Sequence, residues 1–286
     1  MTPVDMALQA SGMSPAISSS SLAGGSICDV RCVHLEDGSQ VVCKIVQEIS
    51  DVNMLASECR GLEQLSATNC IRTPNVLAHV TMETSAVLIL EYLERGENAS
   101  WQRAGRSLAA LHQSACDVHY GSGDEVWLGR TRFPPVSTDD WGDLLIEHRL
   151  RPLLRDVVDA RTLDRDTAHG VEERLAVIRQ AVPSQPAAAL LHGDLWAGNL
   201  MPLATGDVAF LDPASFIGDP IADPAMTLLF GGIPQSFMGS WCEVMGEMDN
   251  VQERIAGVQA MHLLNHVRLF GSGYVPQLMD CLKHFA

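Results

Sequence analysis

The chain has 286 residues, with 19 Lys and Arg against 35 Asp and Glu, for a formal net charge of −16. That balance argues against a nucleic-acid binder and against docking on an anionic membrane, both of which want a basic surface. Hydrophobic residues make up 47%, which excludes a wholly disordered chain, and the length suits one large domain or two lobes. No run of 18 apolar residues marks a transmembrane helix, and the N-terminal stretch lacks the basic and apolar regions of a signal peptide. The eight cysteines form no C-x-x-C pair, which disfavours structural zinc, and several fall in apolar runs. The ones in such runs suit reduced, buried thiols of a cytoplasmic protein.

In chain order, a helical stretch opens the sequence, and the small, Gly-containing run at 18–26 separates it from the first strand signal. Mostly alternating apolar positions over 27–35, a Glu-Asp-Gly turn and the apolar run 41–46 predict a β-hairpin. Leu55, Cys59, Leu62 and Leu65 recur at helical spacing, so an amphipathic helix is expected over 53–67. Strands come next at 76–80 and 87–92. Beyond Gly96, a helix is expected over 100–115, a long ordered loop over 120–138, and helices over 139–159 and 170–181. Short strands at 187–191 and 208–211 flank a Gly-containing loop, and the chain is mostly helical from about 222. The class is α+β: a β-rich N-terminal lobe, residues 1–92, joined to a larger helical lobe, residues 93–286.

The chemistry concentrates in the run His192-Gly193-Asp194-Leu195-Trp196-Ala197-Gly198-Asn199 and in Asp212, thirteen residues further on at a strand end. Phosphoryl transfer requires a base beside the acceptor hydroxyl, oxygen ligands for magnesium and a cation on the phosphates. Asp194 suits the base, and Asn199 and Asp212 suit the metal, which prefers hard oxygen donors. Either loop alone could be a turn, but both at this spacing between apolar strands reproduce a protein-kinase-like order. Lys44 lies in an apolar strand and by itself reads as an edge or solvent-face residue. With Glu58 fourteen residues later in a helix, it matches the ion pair that orients lysine on nucleotide phosphates. The loop containing Gly24 and Gly25 is placed to cover phosphates with backbone N–H groups, or to act as a flexible linker. His262 and His266 lie one helical turn apart without a surrounding H-E-x-x-H, so a packing role is expected of them.

These segments resemble the fructosamine kinase (ketosamine-3-kinase) family, within the aminoglycoside-phosphotransferase-like branch of the kinase fold. The resemblance rests on LLHGDLWAGNL at 190–200, FLDPASFIGDPIADPAM at 210–226, LFGG at 229–232 and DDWGDLLIEHRLRPLL at 139–154. It extends through IRTPNVL, VLILEYLERG and LAALH to most of the chain. The resemblance implies a bilobal protein-kinase-like fold and ATP- and magnesium-dependent phosphorylation of a sugar hydroxyl on a ketosamine, free or protein-bound. Phosphorylation at the third sugar carbon destabilises such an adduct and frees the amine. The resemblance also implies that Lys44 and Glu58 hold the phosphates and that Glu91, Tyr92 and Leu93 form the hinge beside adenine. Asp194 is then the base, Asn199 and Asp212 bind magnesium, and Trp196 and Asp219 contact the acceptor. His192 and Asp223 support the catalytic loop. The other readings are a kinase for another small hydroxyl compound, such as an aminoglycoside, choline or a free sugar, and a nucleotide-binding pseudokinase. A pseudokinase would have lost the base, a metal ligand or the lysine, and all four positions retain competent residues.

Overall fold

In the computed structural model, which describes residues 1–22, 28–48 and 52–285, the N-terminal lobe is an antiparallel sheet between two helices. The strands are β1 (Ala16–Ser21), β2 (Asp29–Leu35), β3 (Gln40–Val46), β4 (Val76–Thr81) and β5 (Ala86–Glu91), in the order β1-β2-β3-β5-β4. Helix α1 (Pro3–Ala10) covers one face and α2 (Val52–Ala67) the other. The alternation of side chains along a strand divides β3 between the two faces. Val41, Cys43 and Ile45 pack with Val4, Ala7 and Leu8 of α1. Val42 and Val46 pack with Leu55, Cys59 and Leu62 of α2. Lys44 shares the parity of Val42 and Val46 and therefore points at α2. Burial on both faces explains the near-continuous apolar runs of β3 and β5.

The second lobe is mainly helical. Helix α3 (Trp101–His112) packs with α8 (Gln235–Met245) through Leu108, Leu111, Phe237 and Trp241. A second core gathers α4 (Trp141–Leu145), α5 (Arg151–Asp159), α6 (Arg165–Ala181), α7 (Ala222–Phe230), α9 (Val251–Phe270) and α10 (Val275–Cys281). Among the described residues, no helix is long and apolar enough to cross a membrane.

Several expectations are corrected. Residues 16–21 pair with β2 as a sheet edge, so that part of the serine-rich run is a strand and not a spacer. An edge strand needs only one buried neighbour and no alternating apolar pattern, which is why serines suffice. The loop expected over 120–138 contains four short strands: β6 (Tyr120–Ser122), β7 (Val126–Leu128), β8 (Thr131–Phe133) and β9 (Val136–Thr138). Strands β7 and β8 form a hairpin, while β6 and β9 join β10 (Ala189–Leu191) and β13 (Phe216–Gly218) in the order β10-β13-β6-β9. Three-residue strands are too short to show a period. The helix expected over 139–159 is α4 and α5 joined by a π turn, Ile146–Leu150, where Arg149 is buried over the Phe133 and Phe216 rings at 4.4 and 5.3 Å. Gly24 and Gly25 lie outside the described residues.

Candidate active site

Two local devices bring the loop residues together. The first is the hairpin of β11 (Leu200–Pro202) and β12 (Val208–Phe210), whose register pairs Leu200 with Phe210. Asn199 immediately precedes β11, and the Leu211 amide donates to the Asn199 carbonyl at 2.9 Å. A thirteen-residue separation is thereby closed, leaving Asp212 one residue beyond that contact. Asp212 adopts the left-handed conformation, with φ 55°, which re-aims the chain at the strand end.

The second device is the turn after β10. Asp223, in the first turn of α7, accepts the amides of His192 and Gly193, each at 2.8 Å. Gly193 has φ +82°, and a Cβ there would lie 2.1 Å from the Ala214 carbonyl oxygen, so only glycine fits. Burial opposes the charge on Asp223, but hydrogen bonds from His112 and the loop amides hold its carboxyl below the ordinary value. His112 Nε2 lies 3.1 Å from Asp223 Oδ2, and Trp241 Nε1 donates to His112 Nδ1 at 3.0 Å. An indole N–H can only donate, so Nδ1 accepts and the proton on Nε2 points at Asp223. His192 is buried and its imidazole is held below the usual histidine value by burial, so it stays neutral.

Within the loop, Asn199 Nδ2 donates to the Asp194 carbonyl at 2.8 Å and to Asp194 Oδ2 at 3.2 Å. That fixes the Asp194 carboxylate and spares the Asn199 side-chain oxygen. Burial, reinforced by the charge of Asp212, raises the Asp194 carboxyl from the ordinary 3.8 to about 7. Lys44 Nζ lies 2.7 Å from Glu58 Oε1 and 2.7 Å from Asp212 Oδ1, so one ammonium bridges the two lobes. Burial opposes its charge, but Asp212 and Glu58 outweigh that cost and keep it protonated above the usual lysine value. Burial is the larger influence on Glu58 and raises its carboxyl against the pull of Lys44. Breaking such a buried pair from one side costs about 3–5 kcal/mol, because the abandoned charge stays buried.

Glu91 ends β5 with its carboxylate turned to Arg72 at 2.5 Å and to the Asn75 amide at 3.1 Å. Tyr92 is exposed and Leu93 half-buried in the connection to the second lobe. That connection is stitched down: the Gly96 amide donates to Pro202 O at 2.9 Å, and the Ala204 amide to Glu94 O at 3.0 Å.

Beside Asp194 opens a cavity of about 370 Å³ lined by Trp196, Leu128, Gly129, Met226, Phe230, His262, His266, Phe270 and Tyr274. Trp196 is 41% exposed, and its ring lies over Gly198, where a Cβ would come within 2.3 Å. Phe230, His266 and Tyr274 cluster around that cavity with ring centroids 4.8 and 5.0 Å from His266. His266 Nδ1 donates to the His262 carbonyl at 2.8 Å, and burial drives the His262 imidazole down to about 3, so it is neutral. The packing role expected of the two histidines is thus incomplete, because both also line the cavity. Phe230, Phe270 and Tyr274 escaped sequence reasoning because they come from α7, the end of α9 and the turn after it. Phe270 and Tyr274 follow His266 at four-residue steps, but no local pattern links them to Phe230. His112 was visible as a polar residue ending the apolar face LAALH, a signal that a buried partner awaited it.

Asp219 is corrected. It is fully buried and forms a bidentate pair with Arg254, Nη2–Oδ1 2.6 Å and Nε–Oδ2 2.9 Å, and it also accepts the Ile221 amide at 3.0 Å. With both oxygens engaged inside the lobe, it holds α9 to the β13–α7 turn and is closed to an acceptor.

Several known proteins are similar to this chain over most of its length. A probable ketoamine kinase of Synechocystis sp. is 36% identical over 92% of this chain and 88% of its own length. The chloroplastic protein-ribulosamine 3-kinase of Oryza sativa subsp. indica is 32% identical over 93% of this chain and 78% of its own. Among solved structures, a Haemophilus somnus protein provisionally named fructosamine-3-kinase superimposes with a TM-score of 0.87 at 22% identity, covering 99% of this chain and 96% of that one. An aminoglycoside-3'-phosphotransferase of type VIII superimposes with a TM-score of 0.57 at 18% identity, covering 91% and 98%, which places the fold among protein-kinase-like phosphotransferases. The fructosamine kinase family model matches residues 5–286, and the chain belongs to that family of ATP-dependent kinases.

Proposed function

We propose that this chain transfers the γ-phosphoryl group of ATP to a sugar hydroxyl of a ketosamine, with Asp194 as the general base. The observation that carries the roles is the convergence of Asp194, Asn199, Asp212 and Lys44 at the lobe junction, beside a cavity large enough for a sugar. Asp194 accepts the hydroxyl proton, the oxygen attacks the γ-phosphorus, and the bond to the bridging oxygen of ADP breaks. A carboxyl raised to about 7 is poised for this, because a base works best with its pKa near the working pH. The residues fit magnesium: the spared Asn199 oxygen and the Asp212 carboxylate are hard donors. Bound there, the metal would neutralise phosphate charge. Lys44, held by Glu58, serves the phosphates from the other lobe, and the backbone of Glu91, Tyr92 and Leu93 borders the adenine. These roles divide between a nucleotide lobe, residues 1–92, and an acceptor lobe, residues 93–286.

The aromatic wall suits a ketosamine. Sugar C–H faces pack on indole, and a protonated amine gains ~0.5–2 kcal/mol from an aromatic face. The names of the relatives, ketoamine kinase and ribulosamine 3-kinase, support the same class and the third sugar carbon as the position phosphorylated. Eight free thiols suit a reducing compartment and support a cytoplasmic setting. The test is steady-state turnover of ATP with fructose-lysine, ribulose-lysine and an aminoglycoside, for the unaltered enzyme and Trp196→Ala. Both ketosamines should be phosphorylated in preference to the aminoglycoside. Trp196→Ala should raise the ketosamine KM severalfold and change the ATP KM by less than about twofold, because the indole faces only the acceptor side. Preference for the aminoglycoside, or equal damage to both constants, would refute the reading.

A further inference from the structure

The hairpin of β7 and β8 touches both halves of the site. On the N-terminal side, the buried Ser57 hydroxyl of α2 donates to the Glu125 carbonyl at 3.2 Å and accepts the Trp127 amide at 3.3 Å. Arg60, on the same helix face, donates to the Glu125 carbonyl at 3.3 Å and faces Asp124 at 3.7 Å. On the other side, Asn265 of α9 donates to the Leu128 carbonyl at 3.4 Å and accepts from the Thr131 hydroxyl. Arg268 reaches Thr131 Oγ1 at 3.0 Å and is itself fixed by Asp156 at 2.7 Å. Between these anchors, Leu128 and Gly129 form a wall of the acceptor cavity. Ser57 directly precedes Glu58, the partner of Lys44.

We infer that Ser57 is a positioning residue and that the β7–β8 hairpin is a strut coupling the acceptor cavity to the Lys44–Glu58 pair. The inference rests on the acceptor reading given above. An acceptor seated against Leu128 and Gly129 holds the hairpin in place. Through Ser57 the hairpin holds the turn of α2 that carries Glu58, and Glu58 holds Lys44 where the phosphates bind. The chain of contacts is short, and every link is a packed or hydrogen-bonded group. Nucleotide and ketosamine therefore bind with positive coupling. Because coupling is a property of the ternary complex, each ligand must tighten the other by the same factor.

The test is calorimetry with magnesium and β,γ-imido-ATP, which cannot transfer its phosphoryl group, in the absence and presence of saturating fructose-lysine. In the unaltered enzyme, each ligand should tighten the other by about fivefold or more, the usual scale of coupling between sites. Ser57→Ala should bring that factor to near one, and Ser57→Thr, which keeps the hydroxyl, should restore it. Thr131→Val, at the far anchor, should also lower the factor and provides the test should Ser57→Ala fail to fold. A role confined to packing would weaken each ligand alone and leave the factor intact. An unchanged factor in both Ser57→Ala and Thr131→Val would overturn the strut, as would two ligands that bind the unaltered enzyme without affecting one another. In those cases the ketosamine reading would stand. An enzyme that binds nucleotide but no fructose-lysine would overturn both.

Discussion

Asp194 carries the sharpest consequences at the scale of single residues. Its carboxyl rises to about 7 from an ordinary 3.8, with burial as the leading cause and Asp212 as the second. In the base role proposed for it, Asp194 must be ionised, so kcat/KM should climb as pH rises through about 7. Asp194→Asn should lower turnover by about two to four orders of magnitude and abolish that ascending limb. The same shift has a cost in stability. A carboxyl whose folded value lies above its unfolded one favours the fold below the unfolded value, and that contribution is lost as pH rises through about 7. The neutral Asp194→Asn variant should therefore melt higher than the unaltered enzyme at pH 8, with the gap closing near pH 4. Melting curves at both pH values decide this. A variant no more stable at pH 8, with near-normal turnover, would remove Asp194 from the base role.

Elements matter through what they hold in register. The β11–β12 hairpin sets Asn199 against Asp212, and the start of α7 clamps the His192–Gly193 turn through Asp223. The Asp219–Arg254 pair ties α9 into the same corner. Asp219→Ala leaves the Arg254 guanidinium buried without its partner, at a cost of about 3–5 kcal/mol. At ~2–4 °C per kcal/mol for a chain of this size, the melting temperature should fall by about 10 °C. The acceptor KM of the fraction that stays folded should remain close to that of the unaltered enzyme. An unchanged melting temperature with a raised acceptor KM would return Asp219 to the acceptor.

At the scale of the whole molecule, two lobes meet along a short connection, the Lys44 bridge, the β7–β8 hairpin and a shared apolar core in which Leu65 and Ile71 pack with Leu108 and Phe210. The net charge of −16 acts on all of it. Excess carboxylates repel one another in the folded state, and salt screens that repulsion within a Debye length of about 10 Å at 0.1 M. Sodium chloride raised from 10 to 200 mM should increase the melting temperature, by roughly 2–4 °C for each kcal/mol of repulsion relieved. A flat or falling response would mean that attractive surface pairs, such as Arg103–Asp207 and Arg31–Asp29, outweigh the net repulsion.

The sequence by itself determined what depends on local spacing. The apolar run around Lys44 and the helical stripe through Leu55, Cys59 and Leu62 specify a strand and a helix. The run from His192 to Asn199, with Asp212 beyond it, supplies the donor types of a kinase site. These patterns survive because strand and helix periods are short and each residue reports its own neighbours. Tertiary structure decided whatever joins distant segments. Lys44 is buried and bridging instead of exposed because α2 and Asp212 close over it. Asp219 is a structural ion because Arg254, thirty-five residues away, reaches it first. The wall of the cavity beside Asp194 draws Leu128, Phe230, His266 and Tyr274 from separate elements, and the short strands within 120–138 exist only through their partners. Such groupings follow from how elements pack, and packing leaves no period in a single chain for a reader to find.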